Sequence, residues 1–258
     1  VMRGGGSALF GSSAIAGTIN IITKEPLRNS GQLSHTITGV GGTSSWDNST
    51  TMNASLVTDN SKVGLYIFGQ NRERSGYDSD GDGFTELPKL KNQTVGFRSF
   101  LKTSAYSKLT FEYHHLQEFR RGGDLLNRPP HEANIAEQLR HSINSGGLKF
   151  DYFSPDEKHR LSVYASAQHI GRDSYYGGNQ DLNAYGATKN FTWVAGSQYI
   201  YHFDRCLFMP SDLTGGVEYN QDNLKDDMWG YNRYTNQKVR IAGAFFQNEW
   251  RNRQWSIL

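Results

Sequence analysis

The sequence predicts an all-β chain built as a transmembrane antiparallel β-barrel, and three observations predict it. Apolar and polar residues alternate with period two along much of the chain. Short polar connections alternate with long ones between the runs. Aromatic residues gather near the ends of the runs, where a barrel strand meets the membrane interfaces.

Composition is compatible with this class and excludes others. The chain has 258 residues, of which 36% are hydrophobic and 13% aromatic, with 28 glycines. No run of about 18 apolar residues exists, so no transmembrane helix is expected. Low average hydropathy does not exclude a membrane, because a barrel strand is apolar on one side only. A net charge of +2 argues against nucleic acid as a partner. A single cysteine, Cys206, rules out an internal disulfide framework and reads as a free thiol in a turn.

The runs follow in order. In 62–71, Val63, Leu65 and Ile67 share one face. In 108–117, Leu109, Phe111 and Tyr113 oppose Thr110, Glu112 and His114. In 160–169, Leu161, Val163, Ala165 and Ala167 alternate with polar residues and Tyr164. In 191–203, Phe191, Trp193, Ala195, Tyr199, Tyr201 and Phe203 fall on one side, and in 238–249 Val239, Ile241 and Phe245 are read the same way. One apolar face per strand is the pattern of a sheet with lipid or core on one side and water on the other.

Between the runs, 58–62, 104–108, 154–158 and 251–254 are short polar turns, and 204–212 is somewhat longer. The linkers 74–90, 119–136, 173–189 and 223–236 are long, so short and long connections alternate as periplasmic turns and extracellular loops do. Segments 92–104, 137–153, 157–172 and 237–251 exceed the ~9–11 residues that a tilted strand needs to cross a bilayer. Tyr152 with Phe153, and Tyr199, Tyr201 and Phe203, are candidates for an interfacial girdle.

The opening stretch, VMRGGGSALFGSSAIAGTINIITKEP, carries the sharpest long motif. Its small residues permit close backbone packing, Gly11 and Gly17 permit unusual dihedrals, and TINIIT reads as a short β-branched strand. It lacks the Lys-Ser/Thr of a phosphate-binding loop. In Arg3-Gly4, Ser7 to Ser12 with Gly11, Ala14-Ile15, and Gly17 to Lys24 with Asn20, the stretch resembles the final plug segment of TonB-dependent outer-membrane receptors. The resemblance covers about a tenth of the chain. It implies that 1–26 is the C-terminal end of a plug and 27–258 the N-terminal part of an incomplete barrel. Alternating segments give ten strands and the start of another, where plugged transporters use ~22. A half barrel leaves open edges in lipid, so the chain is expected to belong to a longer protein. The signal peptide, the TonB-contacting segment, most of the plug and the closing strands are then expected outside it.

Several residues are candidates for ligand chemistry. In YDSDGDGFTELP, Asp78, Asp80 and Asp82 fall at positions one, three and five of a calcium loop, with Gly83 at six. The Phe84 carbonyl falls at seven and Glu86 at nine, whereas Lys89 stands where an EF-hand has its bidentate Glu. Three carboxylates this close repel one another unless a cation joins them, although an acidic solvated loop has the same composition. Arg120, Arg121 and Arg128 can bind an anionic ligand, or pair with Asp124, Glu132 and Glu137. His131 can serve as an axial haem ligand, or simply be a polar loop residue. Tyr175, Tyr176, Tyr185, Trp229, Tyr231 and Tyr234 offer flat amphipathic surface to a large planar or macrocyclic ligand.

No nucleophile elbow and no HExxH are present, so the sequence reads as a non-enzyme. The family resemblance implies TonB-driven import of a scarce bulky nutrient across the outer membrane: a ferric siderophore, haem or cobalamin. The cobalamin receptor of that family is similar in placing calcium among early extracellular loops. The implied partners are TonB through the N-terminal part, outer-membrane lipid, a metal-chelate or corrinoid ligand and, as an accessory, a surface lipoprotein. An outer-membrane barrel enzyme, a passive porin and an adhesin are the alternatives; none of them needs a plug.

Overall fold

The computed structural model describes residues 2–3, 17–18, 25–43, 45–252 and 254–257. Strands β1 (Met2–Arg3) and β2 (Gly17–Thr18) pair antiparallel, Met2 opposite Thr18 and Arg3 opposite Gly17. The expected plug positions Gly4, Gly11 and Asn20 lie outside the described residues.

The remaining strands are β3 (Ser30–Val40), β4 (Ser45–Val57), β5 (Val63–Arg74), β6 (Lys89–Ser104), β7 (Ser107–Gly123) and β8 (Ile135–Phe153). They continue as β9 (His159–Gly178), β10 (Tyr185–Cys206), β11 (Met209–Met228), β12 (Arg233–Arg251) and β13 (Ser256–Ile257). Together they form one 11-stranded antiparallel sheet in which each strand pairs with its sequence neighbours. This is the expected meander. Among the described residues the only helical turns are 3₁₀ turns at Gly41–Thr43, Pro130–Glu132 and Trp229–Tyr231.

Directly opposed residues on paired strands share a face, so the register separates the two sides. One continuous row runs Leu101, Leu109, Phe150, Val163, Ser197, Val217, Ala244 across β6 to β12. The adjacent row runs Ser99, Phe111, Leu148, Ala165, Ala195, Tyr219, Ala242. Leu101, Phe111, Leu148, Val163 and Val217 are exposed despite their size. A contiguous bare apolar face of this extent meets lipid, not water. It is the outer face. Tyr152, Tyr199, Tyr201, Phe203 and Trp250 border it at one end, as an interfacial girdle requires, whereas Phe153 opposes Arg160 on the other face.

The inner face is polar but not uniformly so. Val239, Ile241 and Phe245 lie there, opposite Asp222, Asn220 and Gly216, and not with the apolar face as their spacing suggested. The outward positions of that strand are Ala242, Ala244 and Phe246. The reason is cross-strand packing: a Cβ on Gly216 would meet the Phe245 ring at 2.5 Å, so the ring covers the glycine. Phe100 covers Gly64, Phe68 covers Gly96 and Tyr164 covers Gly196 in the same way.

Because the meander reverses at every connection, its ends differ. At one end sit 58–62, 105–106, 154–158 and the two-residue turn 207–208, shorter than the 204–212 expected, with Cys206 inside β10. At the other sit Gly41–Thr43 and the loops 75–88, 124–134, 179–184 and 229–232. The strands consume much of the expected linkers: 173–178 and 185–189 are strand, as are Arg120 and Arg121. The chain following residue 24 reaches the inner face near the turn end, where Glu25 pairs with Lys108 of β7 at 2.5 Å.

Candidate ligand mouth at the loop end

Loop 75–88 is a small hairpin closed by Tyr77 and Leu87, whose backbones exchange hydrogen bonds of 2.9 and 3.2 Å. Gly81 and Gly83 take positive φ of 80° and 91°, which lets the tip curl back on Asp78. The Asp78 carboxylate accepts from the amides of Gly81 at 2.7 Å and Gly83 at 2.8 Å. The hydrogen bonds from Gly83 and then Gly81 hold its carboxyl below the ordinary carboxylate value. Asp82 accepts from the Phe84 amide at 2.8 Å and Glu86 from the Ser79 amide at 2.5 Å. Asp78, Asp80, Asp82 and Glu86 each offer an oxygen within 4.8 Å of the others. The sequence therefore brings this set together as spaced. Such hard oxygen donors suit a calcium ion, while the local hydrogen bonds also satisfy the carboxylates without one.

Loop 124–134 is clamped by Asp124, which accepts from Asn134 Nδ2 at 2.6 Å and from the amides of Ile135 at 3.1 Å and Asn134 at 3.3 Å. Burial works to raise the Asp124 carboxyl, and these bonds outweigh it, leaving it below the ordinary value. Arg121, only 1% exposed, donates to the carbonyls of Gly122 and Asp124. Arg121 is thus a brace of the loop. Arg120 and Arg128 are exposed. His131 Nδ1 meets the Tyr185 hydroxyl at 2.8 Å.

Tyr175 is fully buried with Ala133, Ala136 and Ala184, packs edge-on against Tyr185 at 4.9 Å, and donates to the Asp181 carbonyl at 3.0 Å. Like Arg121 it is a brace with no face left for a ligand. Tyr176 points to the inner face, and the Tyr231 hydroxyl donates to the Tyr176 carbonyl at 3.4 Å. Trp229 and Tyr231 are exposed at the rim.

The loops are stitched together. Thr85 and Gly123 exchange hydrogen bonds, with the Thr85 amide on the Gly123 carbonyl at 3.2 Å and the Gly123 amide on Thr85 Oγ1 at 3.1 Å. Under them lies an open depression of about 720 Å³ whose lining includes Phe84, Glu86, Arg120, Glu137, Tyr176 and Tyr231. Glu86 of the acidic hairpin, Arg120, Tyr176 and Tyr231 therefore converge on it.

The register adds a feature that sequence reasoning missed. On the inner face one row reads Ser49, Arg72, Asn92, Glu118, His141, Arg172, Thr188, Asp226, Thr235. The next row towards the loops reads Asp47, Arg74, Leu90, Arg120, Leu139, Ser174, Gly186, Met228, Arg233. Arg72, Arg74, Arg120, Arg172 and Arg233 outnumber Asp47, Glu118 and Asp226. Arg72 grips Asp47 bidentately at 2.9 and 2.6 Å, and Arg172 and Arg233 share Asp226 at 3.3 and 3.0 Å. Arg120 pairs with Glu118 at 3.2 Å, and Arg74 donates to the Pro88 carbonyl at 3.2 and 3.1 Å, which also fixes the root of the acidic loop. The arrangement is a basic wall just below the mouth. Its sequence signal was weak: an arginine at an inward position of separate long strands.

A meander of strands longer than a bilayer crossing, apolar outside and polar inside, is the wall of a transmembrane β-barrel. The fold is that of the TonB-dependent outer-membrane receptors. Among solved structures, the chain is similar to the siderophore receptor PirA from Acinetobacter baumannii, at 16% identity and TM-score 0.76 over 96% of this chain. It is also similar to the copper transporter OprC, at 12% identity and TM-score 0.59 over 81% of this chain. The ferric-catecholate import receptor Fiu from E. coli K12 matches at 12% identity and TM-score 0.51 over 97% of it. The chain spans 40%, 35% and 51% of the lengths of these proteins respectively. No protein-family model matches the sequence, and no curated protein sequence does.

Proposed function

We propose that this chain belongs to an energy-coupled importer of the outer membrane, whose mouth binds a bulky anionic metal chelate of the ferric siderophore class. The carrying observation is the pair of inner-face rows holding Arg72, Arg74, Arg120, Arg172 and Arg233. Guanidinium groups suit carboxylate, catecholate and hydroxamate oxygens through charge-assisted hydrogen bonds. Haem and cobalamin remain the other nutrient classes for the same mouth. Residues 1–26 act as the end of the plug, and TonB supplies the force through the N-terminal part of the protein. Fold neighbours described as receptors and transporters fit a non-enzyme. Uptake at limiting supply, measured in cells lacking the full-length gene, tests the reading. A deficit on ferric siderophore is expected. Wild-type uptake of ferric siderophore, haem and cobalamin alike would overturn it.

The acidic hairpin belongs to the same proposal as a calcium site that orders the mouth. With Lys89 at the twelfth position the affinity is expected in the ~10⁻⁴–10⁻³ M range. Asp80→Ala with Asp82→Ala is then expected to loosen 75–88 and weaken chelate binding without unfolding the barrel. Proteolysis of the full receptor reads this directly: cleavage within 75–88 should slow in millimolar calcium. Equal rates with calcium and with chelator would leave only a solvated acidic hairpin.

A further inference from the structure

The mouth is divided by charge. The arginine rows lie below it, whereas the depression of about 720 Å³ under the stitched loops presents carboxylates. Glu137 of β8 stands on the inner face one row nearer the loops than Arg120, directly opposite Gly122 on one side and Tyr176 on the other. Gly122 has no side chain, so that flank of the carboxylate is open. Glu137 is exposed and makes no ion pair among the described residues. The one arginine of the lining, Arg120, turns to Glu118 at 3.2 Å instead. Glu86 adds a second carboxylate from the hairpin, with one oxygen accepting from the Ser79 amide at 2.5 Å. Phe84, Tyr176 and Tyr231 supply three aromatic side chains. Among the described residues none of them packs on another ring or under a cation.

Ring faces and carboxylates share one kind of partner. The face of an aromatic ring is negative and attracts a cation, and a carboxylate accepts charge-assisted hydrogen bonds from an ammonium group. An anion placed in the depression would instead meet Glu137 and Glu86 at close range and lose the ring faces. The anionic part of a ligand therefore belongs one row further in, on the arginines. We propose that the depression is a subsite for a cationic amine. The ligand of this mouth is then bipolar, an anionic metal chelate on the arginine rows with an ammonium-bearing arm turned up to Glu137. Glu86 also belongs to the acidic set of the hairpin, so Glu137 and the rings carry the case. The inference rests on the anionic-chelate reading above and adds the orientation in which the chelate is held.

The test uses the full-length receptor in nonionic detergent and two synthetic ferric tris-catecholate chelates, alike except that one carries a pendant primary amine and the other its N-acetyl form. The wild type is expected to bind the amine form about tenfold more tightly. E137Q is expected to remove that preference and leave affinity for the acetyl form as it was. Y231L, at the exposed rim, is expected to lower the preference about threefold. E132Q alters an exposed carboxylate outside the depression and is expected to keep it. Equal affinity of the wild type for both forms, or an unchanged preference in E137Q, overturns the proposal. Butylammonium alone, read by saturation-transfer NMR on the wild type and E137Q, separates the two levels. If neither chelate binds but butylammonium contacts the wild type and not E137Q, the chelate reading falls and the cationic subsite stands. If neither chelate binds and butylammonium does not distinguish the two proteins, both fall. If both chelates bind tightly and equally, this inference alone falls.

Discussion

Replacing Gly123 with valine is expected to detach loop 124–134 from the mouth while leaving the barrel folded. Gly123 holds φ at 100°, a region that β-branched residues avoid. A Cβ there would also sit 2.1 Å from the Ile135 carbonyl oxygen, a backbone atom that cannot swing aside. Strain and clash together put the cost at about 3 kcal/mol or more, so local opening should rise by about 100-fold. The Thr85 bonds to Gly123 would go with it, so loop 75–88 loosens too. Hydrogen exchange over 75–88 and 124–134 in the full receptor measures this, and unchanged protection would show that the stitch is not what orders the loops. The same clamp has a pH signature. Because the Asp124 carboxyl is depressed in the folded state, its contribution is fully present above the ordinary carboxylate value of ~4. It is lost as pH falls through the lower folded value, so protection of 124–134 should be flat from neutrality to about pH 4 and fall below it.

R72Q/R172Q/R233Q is expected to weaken binding of an anionic chelate by at least about 100-fold, since each charge-assisted bond contributes ~1.5–3 kcal/mol. The variant also leaves Asp47 and Asp226 without their guanidinium partners, which turns the wall from basic towards acidic. A neutral ligand should bind as before. The lysine versions keep the charge but lose the planar fork, and should recover only part of the affinity. Titration of ferric siderophore into the full receptor at low and high salt checks all of this. Unchanged affinity in the glutamine variant would make the arginines internal braces and remove the main support for an anionic ligand. Heat-modifiable migration of the variant would confirm that the barrel still forms.

What the sequence alone determined is local and periodic. The alternation in Leu161 to Ala167 assigned the lipid face of its strand correctly, because a lipid-facing side chain must recur every second residue whatever its neighbours do. The acidic hairpin was legible for a similar reason: Asp78, Asp80, Asp82 and Gly83 lie within one turn of chain. Register decided the rest. Residues 173–178 and 185–189 look like loop because above the membrane both faces of a strand meet polar surroundings, so alternation fades while the hydrogen-bonded ladder continues. Phe245 lies inside because Gly216 of the neighbouring strand leaves room for its ring. Arg121 and Tyr175 resemble ligand contacts by type, yet the fold of 124–134 over them buries both. The basic wall is the extreme case. Arg72, Arg172 and Arg233 are far apart along the chain, and only strand pairing, which acts between segments and leaves no mark within any one of them, sets them in two adjoining rows of one face.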